Sequence, residues 1–205
     1  MPVTSIPLPN TNNYIIGSDE VGCGALAGPL CVCAVAVPTG WSPPNGLTDS
    51  KLMRPAARRR IYTEHLQYLH MAVVSVPNEL LDELGMTASL SKAHARAIRE
   101  LLPRFHVVDI IVDGAVHPDL PNARCVPHAD ALFPVVSAAS VIAKVNRDWL
   151  MEQFHQEFPH YGFAQNSGYG SPRHFEGLAA HGVCRLHRRS FAPIHRLLHP
   201  EQAAA

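Results

Sequence analysis

Asp19 and Glu20 are adjacent carboxylates in a stretch, Ile15 to Val37, that otherwise reads as apolar strand. A charged pair inside a sheet is costly unless something cationic balances it. Neighbours on a strand point to opposite faces, so both side chains reach one ligand only where the strand ends or bends. Gly22 and Gly24 supply that bend, and glycines let backbone N–H groups approach a ligand closely. Two further acids stand in comparable places: Asp113 at the end of the buried-type strand Val107 to Gly114, and Asp130 just before a long helix. Strand ends are where α/β sheets place chemistry. Oxygen-only ligands suit Mg or Mn, whereas zinc prefers nitrogen and sulfur. Two such ions can activate a water on one side of a phosphodiester and stabilise the leaving oxygen on the other. That chemistry needs several acids, and Asp19, Glu20, Asp113 and Asp130 are the candidates.

The elements that must hold them follow from the same sequence. Leu30 to Val37 reads as the second strand of a hairpin, and Met71 to Val76 as a short strand. Pro55 opens a helix, Pro77 to Leu84 makes one or two helical turns closed by Gly85, and Ala88 to Leu102 is a longer helix ended by Pro103. Arg124 to Val126 is a short segment before Asp130. In the long helix that follows, Val135, Ala138, Ile142, Val145 and Trp149 step by three and four, which predicts an apolar stripe. Ser171 is placed to cap a helix with Pro172 at its first position and Gly182 as its stop. Strands alternating with helices, then a helical C-terminal half, predict an α/β sheet with covered faces.

The 205 residues suffice for one domain, and 47% hydrophobic against 17% charged residues marks a globular chain. The longest apolar run, Ala25 to Val37, is interrupted by Gly28 and Pro29 and too short to cross a bilayer, so no membrane role is expected. Residues 1–13 read as a flexible, Pro- and Asn-rich lead-in rather than a secretory signal, and residues 196–205 as a tail. Five cysteines without a CxxC pair fit free thiols and a cytoplasmic protein. Formal charge is zero with 13 histidines neutral, so local basic clusters count for more than the total.

Seven blocks in order resemble ribonuclease HII: Gly17 to Pro29, Asp49-Ser50-Lys51, Val112-Asp113-Gly114, Ala129-Asp130, Ser137 to Asp148, Gly168-Tyr169-Gly170 and His187 to Phe191. The resemblance covers residues 14 to about 195. It implies an RNase H-like mixed sheet flanked by helices, with a helical C-terminal part from about residue 150 in a single catalytic domain over 14–195. It also implies a monomeric endonuclease, using Mn or Mg, that cuts the RNA strand of RNA-DNA hybrids. The implied activity extends to cutting 5′ to ribonucleotides embedded in duplex DNA, as in ribonucleotide excision repair, leaving 3′-OH and 5′-phosphate ends. By the same resemblance Asp19, Glu20, Asp113 and Asp130 are the catalytic, metal-binding acids. Gly22-Cys23-Gly24 is the loop that senses the ribose 2′-OH, the group that separates RNA from DNA. Tyr169 stacks on the sugar.

The chain departs from the family pattern where Cys23 replaces an arginine and Ser167 a lysine, each removing a cation that could meet a phosphate. An alternative reading is therefore a cleavage-impaired homologue that binds RNA-DNA junctions. Lys51 is the better candidate for a backbone contact, while the run Arg58 to Arg60 reads as a solvated helix face. Asp148, one turn after Lys144 and beside Arg147, reads as a partner in a helix-surface ion pair. Asp109 pairs locally. His181, Cys184 and His187 can each ligate zinc but lack a fourth ligand nearby.

Overall fold

The computed structural model describes residues 12–202; residues 1–11 and 203–205, with most of the expected lead-in and the end of the expected tail, lie outside the described residues. The elements in chain order are β1 (Asn13–Val21), β2 (Leu30–Pro38), α1 (Pro55–Glu64), β3 (His70–Val76), α2 (Asn78–Leu84), α3 (Met86–Leu101), β4 (His106–Asp113) and β5 (Ala123–Val126). Then come α4 (Ala129–Leu132), α5 (Pro134–Glu157), α6 (Phe163–Asn166), α7 (Pro172–His181) and α8 (Ala192–Leu198). The described residues divide into two compact units, one of residues 12–21, 31–75 and 90–145, the other of 22–30, 76–89 and 146–202. Among the described residues no helix is long and apolar enough to cross a membrane.

The first unit is built on a five-stranded mixed sheet in the order β3-β2-β1-β4-β5. β1 and β2 are the expected antiparallel hairpin, with Asp19 opposite Cys33, while β1 and β4 run parallel with Ser18 opposite Val112. In this register the residues after Ser18 and Val112 lie level, which brings the acids of β1 and β4 to the same end of the sheet. β2 has no exposed residue, as its continuous apolar run requires of an interior strand. The stripe of α5 packs on it: Val135, Ala138, Ile142 and Val145 share a core with Val35, Val37 and Ile111. Trp149, read as the last member of that stripe, is instead 36% exposed.

Alternation along β1 puts Gly17 and Asp19 on one face and Ser18 and Glu20 on the other. A Cβ on Gly17 would lie 2.7 Å from the backbone of Val135 and Val136, so α5 reaches the sheet only because that position carries hydrogen. Gly17→Ala should push α5 away from the sheet and cost about 1–3 kcal/mol, read as a lower urea midpoint.

The second unit has its own core of Leu26, Ala27, Met151, Tyr161, Phe163, Leu178, Leu186 and Ile194. Ser171 caps α7 as expected, its Oγ accepting from the His174 N–H, and Gly182 ends it at φ 71°. Where the sequence suggested a tail from residue 196, α8 continues to Leu198 and a short turn covers Pro200–Gln202.

Candidate active site

Asp19, Glu20 and Asp113 each offer a carboxylate oxygen, and these three atoms lie within 4.8 Å of one another. Asp19 is almost wholly buried. Its carboxyl is pushed up to about 8, first by burial, then by the charges of Glu20 and Asp113, against a hydrogen bond from Ser140. Ser140 in turn lies 2.8 Å from the hydroxyl of Ser50, tying α5 to the Asp49-Ser50-Lys51 segment.

Asp113 places the fourth acid. Its Oδ1 accepts the Ala129 N–H at 2.6 Å, after the chain turns at His128 with φ 58°, so Asp130 is the next residue of a turn fastened to Asp113. Asp130 is outside the 4.8 Å triplet but near enough that Asp113, after burial, is the largest cause of its raised pKa. Its Oδ2 is buried with no hydrogen-bond partner. An unpartnered carboxylate oxygen beside three mutually repelling acids is a donor set short of positive charge. The Lys51 ammonium supplies some: burial opposes its charge, but Asp130, Asp19, Asp49 and Asp113 together raise its pKa. These residues fit hard divalent cations, whose oxygen ligands they would provide.

Two supporting residues escaped the sequence reading. His94 of α3 is buried, with Nδ1 2.8 Å from Ser18 Oγ and Nε2 3.3 Å from Glu20 Oε2. It thus orients the carboxylate on the face opposite Asp19. The only signal was period two along β1, which puts Ser18 and Glu20 side by side; nothing in the helix pattern pointed to residue 94. Arg58 corrects the expectation of a solvated run. It is 7% exposed, and its Nη1 donates to the carbonyls of Ser50 and Met53, which pins the segment carrying Lys51.

The remaining candidates belong to the second unit. Gly22 has φ 97°, and a Cβ there would meet the Arg147 side chain at 2.4 Å. Arg147 is not on a helix surface: fully buried, it donates to the carbonyls of Pro29, Ala27 and Ser167. Asp148 accepts the Ser167 hydroxyl at 2.8 Å. Arg188, also fully buried, donates to the carbonyls of Gly28 and Cys23 and fixes the loop from its other side. Gly168 accepts from the Leu26 and Ala27 N–H groups, and a Cβ on it would strike the Ala27 carbonyl at 2.3 Å. This close contact carries the Tyr169 ring to 3.8 Å from the Cβ position of Gly24, with the Arg147 guanidinium 5.6 Å from the ring centre. The ring stays 37% exposed.

The zinc-capable trio does not assemble: among the described residues the acidic triplet is the one group of three or more with metal-ligand spacing, and His187 is buried against His174. Asp109 pairs locally as expected, taking a two-pronged contact from Arg124.

A family model described as Ribonuclease HII matches residues 16–194. Ribonuclease HII of Verminephrobacter eiseniae (strain EF01-2) is 41% identical over 190 residues, 91% of this chain and 89% of that protein. Ribonuclease HII of Xylella fastidiosa (strain M12) is 39% identical over 197 residues, 94% of this chain and 83% of that protein. The crystal structure of ribonuclease H2 from Pyrococcus horikoshii OT3 has the same fold, with a TM-score of 0.72 at 25% identity over 92% of this chain and 99% of that one.

Proposed function

Since the chain belongs to the ribonuclease HII family and is a ribonuclease H hydrolase, we propose that it cuts RNA strands of RNA-DNA hybrids and also cuts 5′ to ribonucleotides embedded in duplex DNA. Asp19, Glu20, Asp113 and Asp130 would hold two Mg or Mn ions. When bound, these ions supply an activated water and charge stabilisation of the leaving oxygen, giving 3′-OH and 5′-phosphate ends. The observation that carries this reading is the carboxylate triplet within 4.8 Å, drawn from two parallel strands of a ribonuclease HII sheet.

The chain's own residues set the stage. Ser140 hydrogen-bonds Asp19 and His94 lies against Glu20, and Lys51 offsets part of the negative charge and meets a substrate phosphate. In the second unit Gly22, Cys23 and Gly24 present backbone to the ribose 2′-OH, and the exposed Tyr169 ring stacks on the sugar. Incubation with Mg and a duplex holding one ribonucleotide tests the reading. A single cut on the 5′ side is expected; tight binding without a cut would favour the junction-binding alternative suggested by Cys23 and Ser167.

The raised pKa of Asp19 gives a pH dependence with a definite sign. In the metal-free protein its carboxyl keeps a proton up to about pH 8, so its contribution to stability is full below pH 3.8 and lost as pH rises through 8. For Asp19 to serve as a carboxylate ligand to a divalent ion, that proton would have to leave to solvent. Affinity for Mn should therefore rise between pH 6 and 8.5, with proton release visible as a buffer-dependent heat in calorimetry.

Cys23→Arg should restore a phosphate contact. The Cys23 carbonyl is held by Arg188 whatever the side chain, so the loop keeps its path. Binding should tighten several-fold, and the slope of log K against log salt should steepen by about 0.9. An unchanged salt-dependent Kd would count against a phosphate near this side chain.

A further inference from the structure

Tyr169 is held by more than its glycine neighbours. The Cys184 N–H donates to His187 Nδ1 at 2.9 Å, and since an N–H can only donate, this contact rather than the longer 3.3 Å one to the Cys184 carbonyl sets the ring's tautomer. His187 then carries its proton on Nε2, which lies 3.0 Å from His174 Nε2 and donates to it. With Nε2 accepting, His174 is protonated on Nδ1, 2.9 Å from the Tyr169 carbonyl. The hydrogen bonds run in one direction from Cys184 to Tyr169. Both rings are buried, His174 completely, with Tyr161 edge-on to His187 and Phe163 edge-on to His174. The same Tyr169 carbonyl accepts the Ser171 N–H at 2.8 Å, so both of its lone pairs are used and the peptide plane after Tyr169 is fixed.

We propose that His187 and His174 are positioning residues for substrate binding: their hydrogen-bond chain locks the Tyr169 backbone so that the exposed ring is preset for stacking on the sugar. The inference rests on the reading of Tyr169 as the stacking residue. The chain needs both imidazoles neutral, since each must donate once and accept once. Burial lowers the pKa of His174 and brings that of His187 to about 4, in keeping with neutral rings. A preset ring lowers the ordering cost of binding, so its loss is felt in KM and not in kcat.

Two variants of one residue separate this role from packing. In His174→Asn the amide nitrogen occupies the Nδ1 position and keeps the bond to the Tyr169 carbonyl. His174→Gln places its amide at the Nε2 position, keeping the contact with His187 and losing the one to Tyr169. On a duplex with one ribonucleotide, His174→Gln should raise KM about tenfold with kcat within threefold, while His174→Asn stays near wild type. Equal KM values for the two variants and wild type would overturn the proposal. Should His174→Gln not fold, the comparison passes to His187→Asn, which loses the donor to His174, and His187→Gln, which keeps it. A higher KM for the Asn variant is expected, and equal values again overturn it. Tyr169→Ala is the reference. An unchanged KM there would refute the stacking reading itself, whereas a raised KM with a silent His174→Gln would refute the positioning role alone.

Discussion

Asp113→Asn should abolish cleavage while leaving the fold intact. The amide oxygen can still accept the Ala129 N–H that fastens α4 to the end of β4, so the turn carrying Asp130 keeps its anchor. What disappears is one negative charge from the carboxylate triplet. Charge stabilisation of this kind accounts for several kcal/mol of the barrier, and each 1.36 kcal/mol is tenfold in rate, so a loss of at least about 10³ is expected. Single-turnover cleavage of a duplex with one ribonucleotide measures it directly. Repulsion with Asp130 falls in the variant, so the urea midpoint of the metal-free protein should stay level or rise slightly. Cleavage within tenfold of wild type would place the chemistry elsewhere.

Arg147→Met should be the most damaging single change to stability away from the acids. Its guanidinium fork serves three backbone carbonyls, Pro29, Ala27 and Ser167, from a fully buried position. Methionine fills similar volume but leaves those acceptors without the donor, and a buried orphan costs about 1–3 kcal/mol. A total of about 3 kcal/mol or more corresponds to a Tm lower by about 10 °C in a domain of this size. Activity should suffer as well. Arg147 lies against Gly22 and over the Tyr169 ring, so the loop and the ring both lose their backing. Arg147→Lys keeps the charge but cannot reproduce the fork, and should fall between the two. A thermal midpoint unchanged in Arg147→Met would show that the three carbonyls find other donors.

Much of this was legible in the residues. The hairpin, the strand ending at Asp113, the long helix after Asp130 and the capped helix at Ser171 are set by local pattern: apolar runs, Pro and Gly punctuation, and a serine that accepts an N–H three residues on. Pattern also marked Asp19, Glu20 and Asp113, because carboxylates at the ends of apolar strands stand out against their surroundings.

What the sequence determined by itself was which segments become strands and helices, and which acids are out of place in them, since both depend on neighbours within a few residues. Only the tertiary structure decided what lies beside them. Parallel pairing of β1 with β4 brings Glu20 and Asp113 together across more than ninety residues of chain. His94 meets Glu20, Arg58 turns inward to two carbonyls, Arg147 is buried rather than paired at a surface, and His187, one of the zinc-capable trio, faces His174 instead of a metal. In each case the partner is distant in sequence or is a backbone group. Backbone carbonyls are the same for every residue type, so the sequence carries no mark of which one a buried guanidinium or imidazole will find.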